Sequence, residues 1–173
     1  MRDKAIGWIN ILLNTTNHAG EWIGLLGLRL LLAWEFFESG LEKAMGDNWF
    51  ADIMERFPFP FNLIPTDVSW QIATWSELIG GVALAIGFAT RIFGVSLTVL
   101  TLVAIASVHW PEHWETWSDL VMGYVITDDG HGNFKLPMLY LGMLLPLILS
   151  GPGKLSLDAL IARWALRGTN GWR

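Results

Sequence analysis

The sequence contains no cysteine. Thiol–disulfide exchange, thiolate-bound metals and iron–sulfur clusters are therefore excluded from the chemistry of its own side chains. Charge is also scarce, because Asp, Glu, Lys and Arg together make up 16% of the 173 residues. Polar residues at Asn10, Asn14 and Thr15 interrupt the first 20 residues and no small-residue cleavage site follows, so we predict no cleavable signal peptide. The length is sufficient for a single domain.

Apolar residues, by contrast, make up 53% of the chain, and the mean hydropathy is +0.42. A transmembrane helix needs about 20 apolar residues to cross a hydrocarbon core of about 30 Å. We therefore predict an all-α bundle of four transmembrane helices, at about 22–40, 71–89, 92–110 and 135–150. The amphipathic segments 5–16 and 156–167 predict interfacial helices at both termini, the second capped by Ser156, and further short helices are expected in the outer loops. An apolar soluble helical bundle is the alternative.

The distribution of Lys and Arg predicts the orientation in the membrane. Basic residues concentrate at both termini and at Arg91, whereas the two long loops, 46–69 and 111–135, are acidic. Both termini should therefore be cytoplasmic, with the acidic loops outside. The net charge of −5 comes from those loops and favours no nucleic-acid partner; the predicted partner is the lipid bilayer.

Several ionisable residues fall inside the predicted helices, where they are costly and usually face the bundle interior. Glu35, Glu38, Glu77 and His109 come from three helices and should converge in the outer half of the bundle. Lys43 should offset part of their charge. The residues of this candidate polar pocket are Glu38, Lys43, Glu77, His109, Arg29, Arg91 and Glu35.

Helical geometry refines this expectation. Glu35, Glu38 and Glu42 fall within roughly 60° of one another on an ideal helix. Arg29 lies deeper and near the opposite side, so it should pair with another helix rather than with these glutamates; Glu77 is a partner only if the helices are staggered. Two interpretations of the cluster stay open: an ion-pair network that fixes helix register, or a site for a quinone-like head group, for protons or for a metal.

The segment HWPEH places His109 and His113 four residues apart, a spacing that can present two imidazoles to one metal on a helix. Without thiolates, nitrogen and oxygen ligands would suit copper(II) or zinc. Pro111 interrupts the segment, and interfacial histidines are the alternative. Trp110, Trp114 and Trp117 follow helical spacing, which indicates either an aromatic belt at the head-group level or a stacking platform for a ligand.

Several short motifs in this order and spacing resemble the DoxX family. The motifs are ESGLEK with Gly40 and Lys43, the E-x-x-G-G stretch with Glu77, Gly80 and Gly81, GFATR with Gly87 and Arg91, and the ending GPGKLSLD at 151–158. Two single residues, Arg29 and His109, also fit the pattern. The resemblance extends from Gly24 to Asp158. The longer aromatic loops are similar to the branch encoded beside biosynthesis genes for copper-binding ribosomal peptides of the bufferin type.

The resemblance implies a four-helix bacterial inner-membrane protein associated with redox complexes, including thiosulfate:quinone oxidoreductases, or with oxidative-stress assemblies. Three functions remain open. The first is a redox subunit that binds a quinone through Glu38, Lys43, Glu77 and His109, with electrons supplied by a partner because the sequence shows no cysteine and no haem or flavin motif. The second is a non-enzymatic docking or export partner for a modified, copper-binding peptide or another protein. The third is a structural anchor for a complex.

Overall fold

A computed structural model describes residues 2–111, 113–127 and 130–169. Glu112, Asp128, Asp129 and Arg173, which enter the charge pattern, lie outside the described residues, as do the side chains of Arg2, Lys4 and Arg167. No β-strand occurs in the described ranges, so the all-α prediction is confirmed.

The α-helices are α1 (Arg2–Ala19), α2 (Leu25–Met45), α3 (Thr66–Ile86), α4 (Thr90–Ala104), α5 (Trp117–Met122), α6 (Lys135–Ser150) and α7 (Leu157–Thr169). A π turn at Gly20–Gly24 joins α1 to α2, and a second, at Ile105–His109, ends α4. Two 3₁₀ helices, Phe50–Arg56 and Phe61–Leu63, lie between α2 and α3.

Four long helices form the bundle. Helix α2 packs along α3, α3 contacts α4, α4 packs along α6, and α6 returns to α2, which closes a ring of four. The ring encloses an aliphatic and aromatic core formed by Leu32, Ala33, Phe36, Leu84, Leu97, Leu144 and Leu147. We call the end of the bundle that carries segments 46–65 and 110–134 the loop end, and the opposite end the tail end.

Glycines let α2 and α3 approach closely. A Cβ atom added at Gly81 would lie 3.0 Å from the carbonyl oxygen of Ala33, and one at Gly40 would lie 2.9 Å from the backbone nitrogen of Leu78. Small residues at such crossings let helix backbones pack directly on each other. The E-x-x-G-G motif therefore places Glu77 on a helix that is held tightly against α2.

The helix ends differ in places from the predicted ones. Helix α2 continues to Met45, so the whole segment 33–43 is helical. Helix α3 begins earlier, at Thr66, directly after Pro65, a residue that fits the start of a helix because it has no N–H to leave unpaired. It ends at Ile86 rather than near 89, because Gly87 takes the left-handed conformation with φ +70.

An aromatic cluster covers the loop end. Phe50 and Phe57 from the first loop pack with Trp70 and Ala73 of α3. The Phe50 ring meets the Trp70 ring edge to face, with centroids 4.9 Å apart, a favoured arrangement of aromatic pairs. Asn48 also donates to Asp67 at 2.9 Å. The first loop is therefore a packed cap.

The outer surface of the bundle is apolar. Large exposed side chains include Leu31, Trp34, Ile72, Ile79, Val82, Ile92 and Leu149. Soluble monomers rarely expose contiguous apolar patches of this kind, which are typical of surfaces that face lipid. Within the described residues, the segment Thr90–His109 is long and apolar enough to cross a membrane by length and composition, and Lys135–Ser150 is apolar but shorter. Helix α2, with 21 residues, is as long as the first of these segments but carries five ionisable side chains, Arg29, Glu35, Glu38, Glu42 and Lys43.

Candidate ligand site at the loop end

A cavity of about 780 Å³ lies inside the loop end of the bundle. Its walls come from α2, α3, α4 with its π turn, and α6, and the aromatic cap forms part of its roof. Most of its lining surface is apolar and includes Phe36, Phe57, Ile72, Val99, Leu100 and Pro137. Hydroxyl, ammonium, imidazole and carboxylate groups also line it, so the cavity is amphipathic.

The ion pair between Lys43 and Glu77 lies in the cavity wall. Lys43 Nζ lies 2.9 Å from Glu77 Oε2 and 3.1 Å from Oε1, and it donates to Ser39 Oγ at 2.8 Å. Ser39 in turn donates to Glu77 Oε1 at 3.3 Å. The three acceptors match the three N–H donors of an ammonium group. Because Glu77 is 5% exposed, Lys43 is needed to compensate its charge.

A second carboxylate contact crosses from α2 to α6. The hydroxyl group of Tyr140 donates to Glu35 Oε2, and the Tyr140 ring packs against Phe36 at 5.6 Å between centroids. Glu38 and Glu42 also line the cavity, but their side chains are exposed. The segment 33–43 therefore contributes to one wall, where Glu35 and Lys43 are partly buried and Glu38 and Glu42 are exposed.

His109 lies where the second π turn ends, and it also lines the cavity. Its Nδ1 is 2.7 Å from Asn133 Oδ1, and its carbonyl accepts from the Asn133 backbone N–H at 3.0 Å. These contacts tie the end of α4 to the residues before α6. Single π turns inside helices occur often at functional sites, and this one places an imidazole group at the cavity wall.

The remaining loop residues are spread out. The helix ends at His109 and the backbone is extended at Trp110, so His113 does not continue a helical turn, and its side chain is exposed. Trp110 stacks on Phe134, and Trp117 begins α5, so the three tryptophans do not share one helix. In the ranges that the structure describes, no group of three or more His, Asp or Glu side chains is arranged to hold a metal ion. Metal binding by His109 and His113 stays a prediction.

Arg29 and Arg91 lie at the tail end, away from the cavity. Arg29 is 1% exposed and donates to the carbonyls of Pro152 at 3.0 Å and Leu155 at 2.8 Å. The predicted pairing with another helix is therefore wrong, because both acceptors lie in the segment between α6 and α7. Its guanidinium group also fills the space beside Gly87, where an added Cβ would lie 2.1 Å from Nη1. Arg91 donates to the carbonyl of Leu149 at 3.3 Å. Of the seven predicted pocket residues, Glu35, Glu38, Lys43, Glu77 and His109 come together, and the two arginines do not join them.

Asp158 completes a clamp at the tail end. Its carboxylate accepts from the backbone N–H groups of Ala89 at 2.7 Å and Thr90 at 3.0 Å, which caps α4. Its own N–H donates to the carbonyl of Gly87 at 2.9 Å. The motifs GFATR and GPGKLSLD therefore meet Arg29 in one tail-end clamp, which is structural. Ser156 Oγ accepts from Ala159 N at 3.1 Å, the cap that the sequence predicts for α7.

Sequence reasoning missed three cavity residues. Ser39 and Lys43 are four apart on α2, a spacing that places two side chains on the same helix face and could have suggested their contact. Tyr140 is a single phenol in an otherwise apolar helix, which was a usable signal. The sequence gives no signal for Asn133, because its contact with His109 depends on how the loop folds.

The arrangement suits a molecule with an apolar body and a polar head. Ligand sites usually enclose about 300–1,000 Å³, with mostly apolar walls and a few placed polar groups. Here an ammonium, an imidazole, several hydroxyls and several carboxylates line the cavity. These groups can donate and accept hydrogen bonds and can exchange protons with a bound head group.

Comparison with known proteins identifies relatives. Residues 24–110 match the DoxX family. A Haemophilus influenzae protein described as uncharacterized is 51% identical over 144 residues, which cover 83% of this chain and 87% of that protein. No solved structure matches the chain.

Proposed function

The chain belongs to the DoxX family of membrane proteins, and from that premise we propose that its loop-end cavity binds the head group of an isoprenoid quinone. In this proposal α2, α3, α4 and α6 cross the bacterial inner membrane, both termini are cytoplasmic and the loop end faces outward. The protein then acts as the quinone-binding subunit of a redox complex.

The amphipathic cavity is the observation that carries this proposal. A quinone combines an apolar isoprenoid chain with a head that presents two oxygen atoms for hydrogen bonding. The apolar lining residues Phe36, Val99 and Leu100 suit the chain. The head group would compete with Glu77 and Glu35 for the donors of Lys43 and Tyr140, which those carboxylates occupy in the structure.

The carboxylates give the site a role in proton transfer. Reduction of a quinone to a hydroquinone takes up two electrons and two protons. The electrons come from a partner redox protein, since this chain has no cysteine. In this proposal two carboxylates carry the protons, Glu77 next to Ser39 and Glu35 next to Tyr140. The exposed Glu38 and Glu42 exchange protons between these two groups and water at the loop end.

Quinone retention tests the proposal. The protein is purified from bacterial membranes in mild detergent, and ubiquinone and menaquinone are measured in its lipid extract. We expect wild-type protein to retain quinone and Glu77→Gln to lose it, because the substitution removes a charge that holds Lys43 in place. Asp52→Asn, on the exposed side of a 3₁₀ helix, is the matched control and should retain quinone. A wild-type extract without quinone would contradict the proposal.

A second candidate function is docking of a modified, copper-binding peptide, as in the peptide-associated branch of the family. The exposed aromatic residues of the second loop favour it, since Trp110, Trp114 and Trp117 are 40%, 44% and 76% exposed. Exposed tryptophans are common at binding hot spots. Replacing these three residues with serine should then reduce survival under copper stress and recovery of the peptide in pull-downs. Unchanged survival and unchanged pull-downs would leave the structural-anchor function instead.

A further inference from the structure

A second depression, of about 830 Å³, lies at the tail end on the outside of the bundle. We call it the basic groove. It runs between the first turn of α4, the end of α6 and the first turns of α7. Because it is separate from the loop-end cavity, its ligand is independent of the occupant of that cavity.

Three cationic side chains line the basic groove: Arg91, Lys154 and Arg163. Two of them share an aromatic surface, since Lys154 Nζ and Arg163 Cζ lie 5.8 Å and 5.9 Å from the centroid of the Trp22 ring. Arg91 is fixed at the end of α6 by its bond to Leu149, which uses one of the five N–H donors of a guanidinium group. The cations are therefore held in position around one groove.

One carboxylate, Asp158, also lines the groove. Both of its oxygens accept backbone hydrogen bonds at the start of α4, and Arg29 stands on its other side, where opposite charge acts on it. Arg91 and Arg163 thus face one carboxylate whose two oxygens are already engaged, and Lys154 lies beside them. The groove keeps an excess of positive charge that a phosphate group complements.

The groove also has apolar walls. Leu25 and Ile92 line it, and Ile92 is 71% exposed on the lipid-type outer surface of α4. Leu149, at the neighbouring end of α6, is 68% exposed. A free phosphate ion would leave these walls in water, whereas the acyl chains of a phospholipid would cover them. Trp22 beneath the cations is typical of the membrane–water interface.

We propose that the basic groove binds the phosphodiester head group of one anionic phospholipid in the leaflet at the tail end. Basic pockets between helices at the membrane surface recognise anionic lipids in this way. The phosphate lies between Arg91, Lys154 and Arg163, and the acyl chains run along Ile92 and Leu149.

Native mass spectrometry with added lipid tests this site. The full chain in detergent is titrated with phosphatidylglycerol or with phosphatidylcholine, and the bound lipids are counted. We expect one saturable phosphatidylglycerol and much weaker phosphatidylcholine. Each Lys or Arg near a surface contributes about 1 kcal/mol to anionic lipid binding, so the double variant Arg91→Gln/Arg163→Gln should bind phosphatidylglycerol roughly 30-fold more weakly. Lys135→Gln, at the loop end, is the control and should match wild type.

Three outcomes would overturn the proposal. They are equal binding of the two lipids, unchanged phosphatidylglycerol affinity in the double variant, and displacement of the bound lipid by inorganic phosphate, which would identify a free-anion site. If the double variant does not fold, the single change Arg163→Gln replaces it. It should weaken phosphatidylglycerol binding about fivefold, and an unchanged affinity there counts equally against the site.

Discussion

Replacement of Lys43 by methionine tests how the bundle tolerates charge at its cavity wall. The substitution keeps an apolar stem but removes the ammonium group that lies 2.9 Å from Glu77. The two side chains are 16% and 5% exposed. Removing one partner of a buried ion pair costs about 3–5 kcal/mol, because the other charge is left uncompensated. The cavity opens on one side, so we expect the lower end of that range.

Thermal unfolding in detergent, followed by the fluorescence of the 11 tryptophans, measures this cost. For a domain of this size, about 3 kcal/mol corresponds to a midpoint lower by roughly 6–12 °C. The double variant Lys43→Met/Glu77→Gln leaves neither partner charged and should recover most of the loss. A Lys43→Met midpoint equal to that of wild type would refute the reasoning, as would a double variant no more stable than Lys43→Met.

The same variants separate the two interpretations of the charged cluster. If Lys43 and Glu77 only fix helix register, the double variant should regain quinone retention together with stability. If they contact the head group, stability should return while retention stays lost. The two measurements therefore distinguish a structural ion pair from a ligand site.

Two further predictions concern helix packing and the second loop. Gly81→Ala should lower the unfolding midpoint, since its Cβ would lie 3.0 Å from the Ala33 carbonyl oxygen and overpacking costs about 1–3 kcal/mol. Gly142→Ala is the control, because a Cβ there has nothing within 4 Å, and it should not lower the midpoint. Equal losses in the two variants would contradict the close crossing of α2 and α3. In the second loop, backbone and side-chain hydrogen bonds from Thr116 hold the pKa of the Asp119 carboxyl below its usual range, and the backbone N–H of Glu115 acts in the same direction. The ionised Asp119 therefore stabilises α5 fully at a pH above the pKa that this carboxyl has in the unfolded chain. That stabilisation is lost as the pH falls through the lower pKa of the folded state. After division by the intrinsic exchange rate at each pH, amide protection across 116–122 should fall on acidification in wild type and already be low at neutral pH in Asp119→Asn, and equal neutral-pH protection in both would count against it.

The helical class follows from the sequence because long apolar runs separated by polar loops leave few alternatives. Turn residues were harder to place. Gly87 ends α3 through its positive φ, and nothing in the apolar pattern distinguishes it from Gly80 or Gly81, which continue the helix. The continuation of α2 past Gly40 was also hidden, because charge at Glu42 and Lys43 resembles the start of a loop.

Part of the candidate site could be anticipated from helix periodicity. Residues on one face of α2, such as Glu35 and Glu38, had to share a wall, and Glu77 stood at a matching depth on α3. The arginines could not be placed in this way. Arg29 and Arg91 are bound by backbone carbonyls of a loop and of a helix end, and such contacts leave no trace in side-chain spacing.

The tail-end clamp has a consequence for how the chain is assembled. Arg29 belongs to the first bundle helix to leave the ribosome, yet its carbonyl acceptors at Pro152 and Leu155 are 123 and 126 residues later in the chain. Until Pro152 and Leu155 are synthesised, the Arg29 guanidinium group lacks these two acceptors. The backbone N–H groups at the start of α4 likewise lack the Asp158 carboxylate. The clamp therefore cannot form before residues 152–158 have been synthesised, so the ends of the bundle sequence are joined late in the assembly of the chain.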